Sequence, residues 1–246
     1  MVNIRIIEVA ESTNTSLSQL LQNEQLPSGF MLLAKNQTHG RGQKGNIWES
    51  LQGENITATL LLKPQNLESA DQFYLTMVVA IGIVDLLKGL APEAQWSVKW
   101  PNDIYCADKK IAGILIENVI MGNDFGYCLA GIGLNVNQHK FLSDAPNPIS
   151  LSMITGDIYD INTIAGQMSI SILDRFSHLE SGHTGKLRAD YLNHLYLRGI
   201  PALFLYEGKT IKAEIQDVDI YGRLRLLRTD TREPIIAAFK EIKYLQ

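Results

Sequence analysis

Residues 109–117 read Lys-Lys-Ile-Ala-Gly-Ile-Leu-Ile-Glu, and from Ile111 to Ile116 the run is apolar at both parities. A strand with one face in water alternates, so this pattern predicts a central strand covered on both faces. Its partner is predicted at Tyr127–Val136, reached through a turn around Gly122 and Asn123. That partner contains Gly131-Ile132-Gly133-Leu134-Asn135, which puts two glycines on one face and an amide two residues further along it. Gly113 lacks a side chain in the interior of the first strand, a sign that a ligand or another backbone comes close. A lysine opening such a strand packs its stem on apolar neighbours and frees its ammonium at the strand end. An ordinary solvated turn residue is the plainer account of Lys109 or Lys110.

Either side of this pair the pattern alternates between strand and helix. Val2–Val9 reads as a strand, followed by Ser12, Thr13 and Asn14 as a run of helix N-caps for a short helix through Leu21. Phe30–Ala34 and Ile56–Leu62 are two more strands, joined by a glycine-rich stretch. Leu67–Leu90 has almost no polar face in its middle and is expected to be a buried helix on the sheet. Trp96–Trp100 is a strand stopped by Pro101. Two helices are expected over Asn162–Leu197, broken at Ser181 and Gly182. After Gly199 come short strands separated by glycine and polar turns, at Ala202–Tyr206, Thr210–Val218, Arg223–Arg228 and Ile235–Phe239. They suggest a small barrel. The expected division is 1–198 and 199–246.

Composition narrows the function classes. The chain has 246 residues, 46% apolar and 20% charged, which gives it ample material for a core. A net charge of -4 argues against a protein that coats nucleic acid or anionic lipid. Arg223 and Arg225 alternate with leucines, so with Arg228 they read as a solvated strand face rather than a nucleic-acid patch. The longest apolar stretch falls short of a membrane span and no secretory leader is read, so a cytoplasmic protein is expected. Cys106 and Cys128 are expected as core thiols in a reducing compartment. The five histidines show no metal-ligand spacing.

Two further motifs carry chemistry. Gly40-Arg41-Gly42-Gln43-Lys44-Gly45, with Trp48 three residues on, is either a flexible hairpin or an anion cradle of backbone N–H groups and two cations. It has neither P-loop nor dinucleotide spacing. Lys99-Trp100-Pro101-Asn102-Asp103 is a stiff turn, either an Asx-type turn or a place to hold a nucleotide or Mg²⁺. Together the motifs describe a glycine-floored groove on which Arg41, Lys99 and Lys110 converge. That arrangement suits a reaction between two anions, whose approach to about 4 Å costs roughly 4 kcal/mol at an effective dielectric near 20.

Taken in order, Ser12-Thr13-Asn14, the Gly40–Trp48 loop, Lys99–Asp103, Lys110–Glu117, Gly131–Asn135 and the small C-terminal module resemble the biotin protein ligases, in the form without an N-terminal DNA-binding domain. The resemblance implies an α+β fold in which helices cover a mixed β-sheet, class II synthetase-like, followed by an SH3-like C-terminal barrel. It implies that biotin and ATP with Mg²⁺ give biotinyl-5′-adenylate, and that biotin passes to a lysine of a biotin carboxyl carrier protein. By the same resemblance Ser12, Thr13, Asn14 and Gln37 would bind the ureido ring, and Lys110 and Arg41 would serve the carboxylate and α-phosphate. Gly42 and Gln43 would cap the adenylate, while Gly40, Gly45, Trp48 and Asn135 would serve the nucleotide. Lys99, Asn102 and Asp103 would serve the polyphosphate and its Mg²⁺, with Asp103 able to reach the ion through Mg-ATP; a resident metal and a membrane are not implied, and a homodimer is allowed. Gln43 and Asn46 depart from the family's usual arginines, which leaves retention of the adenylate to Arg41, Lys44, Lys110 and backbone amides. Lipoate or octanoate ligation and a non-catalytic sensor of biotin or nucleotide are the alternatives.

Overall fold

A computed structural model describes residues 3–42, 47–65, 67–121, 124–142 and 147–245. Seven strands form a mixed sheet: β1 (Asn3–Ala10), β2 (Phe30–Gln37), β3 (Asn55–Leu62), β4 (Trp96–Lys99), β5 (Asp103–Cys106), β6 (Lys109–Met121) and β7 (Asp124–Asn135). Their order is β1-β2-β3-β7-β6-β5-β4. Only the outermost pair, β1 with β2, is parallel, because α1 (Thr13–Asn23) carries the chain back between them. The expected β6–β7 pairing is present, with Gly113 opposite Gly133 and Leu115 opposite Gly131.

Register then decides what each face becomes. Ala112, Ile114, Ile132, Ala130, Ala58, Leu60, Met31 and Leu33 share one face and belong to one buried cluster. Over it lie α2 (Phe73–Leu90), α4 (Ile161–Glu180) and α5 (Thr184–Asn193). α2 is buried along nearly its whole middle, which is why its sequence shows no polar stripe. With the preceding 3₁₀ turn at Ser69–Asp71, it is long and apolar enough to cross a membrane by length and composition, but here it packs as a core helix. On the opposite face Phe30, Leu32, Leu61 and Leu129 pack beneath Leu17 of α1. Beyond that helix the face carries Gly113, Gly133, Thr57, Gly131 and Thr59. The expectation that Ile111–Ile116 is covered on both faces therefore fails at Gly113 and Leu115, which line an open cavity.

Several boundaries differ from expectation. β4 ends at Lys99, and a second short strand, β5, returns after the Trp100–Pro101 turn. A four-residue strand has too few residues to declare a period. The helix expected from Leu67 starts at Phe73, and Leu151–Thr155 forms a one-turn α3. Cys128 is fully buried, whereas Cys106 is half-buried.

The last elements are β8 (Pro201–Tyr206), β9 (Lys209–Val218), β10 (Leu224–Arg228), β11 (Pro234–Ala237) and β12 (Ile242–Leu245), an antiparallel sheet ordered β11-β10-β9-β8-β12. It matches the small SH3-like module implied by the resemblance, with β12 added. The buried cluster of the large sheet continues into it through Phe204, Ile211, Ile215 and Leu224. Trp100 joins the two, its Nε1 donating to Gly222 O at 2.8 Å and its ring meeting Phe239 edge-on at 6.2 Å.

Candidate functional site

The open part of the sheet face is a cavity of about 190 Å³ lined by residues from separate segments along the chain, among them Ser12, Gln37, Arg41, Lys110, Gly133 and Phe239. Thr13, Asn14, Gly42, Trp48, Asn102 and Asp103 line it as well. Arg41 and Lys110 thus share one cavity although 69 positions separate them in sequence (110 minus 41).

α1 delivers the first group. Ser12 stands at the helix N-cap, but its Oγ makes no capping bond and instead accepts from Arg41 Nη2 at 3.4 Å. The expected role of the Ser-Thr-Asn run as caps is corrected accordingly: these side chains face the cavity. Thr13 donates its backbone N–H to Gln37 Oε1 at 2.9 Å. Buried Thr59 sits 2.8 Å from Thr13 Oγ1 and 2.6 Å from Asn14 Oδ1. Asn14 Nδ2 donates to Glu117 Oε2 at 3.0 Å, so both ends of its amide are held. Unpaired polar groups here would each cost about 1–3 kcal/mol, so the pairing fixes how Asn14 points. Thr59 and Glu117 are functional supports that the sequence reading missed; the only signal was Thr59 as a polar residue inside an apolar strand.

The cations come from two other segments. Lys110 Nζ pairs with Asp103 at 2.7 Å. Its backbone is clamped as well, donating to Asn147 O and accepting from Ile149 N, both at 2.9 Å. Arg41 donates to Thr15 Oγ1 at 2.7 Å and lies 3.8 Å from Glu117. Asn102 anchors the turn by donating to Ile114 O at 2.6 Å.

Three glycines on the cavity floor make room for side chains. A Cβ at Gly133 would fall 2.2 Å from the Trp48 ring, one at Gly113 would sit 3.1 Å from it, and one at Gly131 would strike Asn14 Oδ1 at 2.6 Å. The Trp48 indole therefore lies flat on the glycine floor, with Lys110 Nζ 5.8 Å from its ring and its own Nε1 buried without a partner among the described residues. Gly40 lets this segment approach: Trp48 N donates to Gly40 O at 2.9 Å.

Three expected members, Gly40, Lys99 and Asn135, stand apart from the cavity lining. Lys99 turns away into an aromatic cage, donating to Tyr105 Oη at 3.1 Å, with the Tyr105 and Tyr244 rings 4.7 and 4.9 Å away. Burial lowers its pKa, Asp103 opposing that shift. The predicted convergence of three cations is thus reduced to two, because the tyrosine cage satisfies the third. Asn135 is buried further along the floor's own face, outside the cavity lining, Nδ2 donating to Ile149 O at 3.1 Å and Oδ1 unpartnered among the described residues. Gln43, Lys44, Gly45 and Asn46 lie outside the described residues. The C-terminal sheet supplies Phe239, which no motif had announced. Among the described residues no three His, Cys, Asp or Glu side chains form a metal cluster.

The chain is similar in sequence and in fold to known proteins. A sequence model of the Biotin/lipoate A/B protein ligase family matches residues 6–137. The chain is 30% identical to the bifunctional ligase/repressor BirA of Bacillus spizizenii over 88% of its own length, but it covers only 64% of that protein. It is 36% identical to the biotin–acetyl-CoA-carboxylase ligase of Paracoccus denitrificans over 61% of this chain and 63% of that one. Its fold is similar to biotin protein ligase from Aquifex aeolicus in complex with biotin and ATP, with TM-score 0.80, 22% identity and full coverage of both chains.

Proposed function

The chain belongs to the Biotin/lipoate A/B protein ligase family, and from that membership we propose that it activates biotin with ATP and passes the biotinyl group to a lysine of a carrier domain. The observation that carries this reading is the shared cavity of Arg41 and Lys110, floored by glycine and walled on one side by Ser12, Thr13 and Gln37.

In the first step a biotin carboxylate oxygen attacks the α-phosphorus of ATP, forming the acyl–phosphate anhydride as the bond to pyrophosphate breaks. Lys110 and Arg41 offset the repulsion between carboxylate and phosphate and stabilise charge gathering on the α-phosphoryl oxygens. Each cation now faces a carboxylate, Asp103 or Glu117, which keeps it oriented until the substrates arrive. Ser12, Thr13 and Gln37 supply hydroxyl and amide groups suited to a ureido ring, with Asn14 held in register beside them. Asp103, which lines the cavity, would help hold the Mg²⁺ of the nucleotide, whose charge would offset that of the phosphates. In the second step the carrier's lysine amine attacks the acyl carbon and AMP leaves. Neither step needs a side-chain nucleophile on this chain.

Incubation with biotin, Mg²⁺-ATP and a carrier domain is expected to yield one biotinyl adduct by mass, and Lys110→Ala to lose about 100- to 1,000-fold in rate. Absence of both adduct and biotin-dependent pyrophosphate exchange would overturn the reading, and exchange supported by lipoic acid instead would move it to the lipoate branch.

A further inference from the structure

Among the described residues, the segment carrying Trp48 and the segment following Asn135 are tied together by polar groups. Glu49, the residue after Trp48, accepts from Leu142 N at 2.8 and 3.1 Å and from Gln138 Nε2 at 3.3 Å. Gln138 is 1% exposed and uses its whole amide: Oε1 accepts from Leu51 N at 3.0 Å and from Asn55 Nδ2, and Nε2 also donates to Lys140 O at 2.8 Å. Asn55, at the foot of β3, accepts from Val136 N at 3.0 Å, and Asn137 N donates to Glu54 O at 2.8 Å. Apolar packing does not assist at the outer ends, where Ile47 is 84% and Leu142 88% exposed.

We propose that the Glu49 carboxylate is a latch through which these two segments hold each other in place, making Glu49 a positioning residue for the nucleotide and for retention of the acyl-adenylate. This rests on the ligase reading above. A hydrogen-bonded pair of segments with a fully satisfied buried amide at its centre loses order on both sides when one partner is removed. Trp48 roofs the glycine floor on one side of the latch, and Asn135 continues the face of that floor on the other. A ligand that settles against either segment therefore prepares the other, which is positive coupling between two binding events.

The experiment compares the full chain with Glu49→Ala and Glu49→Gln. Amide hydrogen exchange is read at Leu142, whose N–H meets Glu49 directly, and at Leu51, whose N–H meets only Gln138. In Glu49→Ala both amides are expected to exchange about tenfold faster, with Glu49→Gln between that variant and the parent, since it keeps one acceptor oxygen. The KM for ATP in biotin-dependent pyrophosphate exchange should rise about tenfold, with kcat and biotin affinity within about twofold of the parent. Release of preformed adenylate should quicken by about the same factor. Unchanged exchange at Leu51, or an unchanged KM for ATP in an active parent, overturns the latch. A parent inactive with biotin and ATP overturns the ligase reading instead, and exchange at Leu51 still decides the latch.

Discussion

The two faces of the seven-stranded sheet are made by the same strands one residue out of step. On the helix face β3, β6 and β7 present Ala58, Leu60, Ala112, Ile114, Ala130 and Ile132, all buried in one cluster. On the other face the same strands present Thr57, Thr59, Gly113, Gly131 and Gly133. The first face is filled to the density of a protein interior, whereas the second is held back so that Trp48 and Asn14 can lie against bare backbone. Core and candidate site are thus assigned to opposite parities of the same three strands, and a glycine means something different on each side.

That contrast can be broken at three places. The largest effect is expected on the cavity face. Gly133→Ala would place a methyl 2.2 Å from the Trp48 ring and lift the indole off its floor. Biotin-dependent pyrophosphate exchange should fall about 100-fold, the scale of a misplaced reacting group, while urea unfolding changes little. Activity within about twofold would mean that the floor tolerates a side chain and that the contrast is false.

Gly82 is its counterpart in the helix layer. A Cβ there would sit 2.6 Å from Ile172 Cα, so α2 and α4 would have to separate. Alanine gains about 1 kcal/mol of helix propensity. The backbone contact cannot be relieved by rotating a side chain, and overpacking of about 1–3 kcal/mol outweighs the gain. Gly82→Ala is expected to lower stability to urea by about 1 kcal/mol net and to leave turnover per folded molecule intact; the opposite pattern would remove the distinction between the faces.

The smallest effect concerns the polar seam of the helix layer. Arg175 bridges Asp85 and Asp190, and Asp190 also accepts from Lys186 at 2.8 Å. Burial works against the ionised Asp190, but the bonds from Lys186 and Arg175 prevail and hold its pKa below the ordinary 3.8. Its contribution is therefore present above about pH 4 and disappears as pH falls through the lowered folded value. Asp190→Asn should narrow the stability difference between neutral and acidic solution, checked by paired urea titrations. An unchanged acid limb would place the acid sensitivity elsewhere.

What could be read before any coordinates follows from the same parity logic. Ile111–Ile116 announced a central strand because apolar residues at both parities leave no face suited to water, and Gly131-Ile132-Gly133 announced its partner. Arg41 and Lys110 were legible as cavity residues through their glycine neighbours. The destination of Lys99 was not, since Tyr244 and Tyr196 reach it from the far end of the chain. Glu49 and Gln138 gave no sign either: a carboxylate and an amide 89 residues apart reveal a bond only once the backbone has brought them together. β5 and β12, at four residues each, were too short to show a period.

Trp100 lies where the chain turns from β4 to β5, yet its indole N–H ends on Gly222 and its ring on Phe239. The apolar interior passes beside it from one sheet into the next without a polar break. Pulling the carboxy-terminal strands away would bare that seam to water and remove a wall from the reaction chamber in the same motion. An assault on either sheet is thus felt by both, and heat or denaturant should meet a single cooperative body even though the topology changes character partway along the polypeptide.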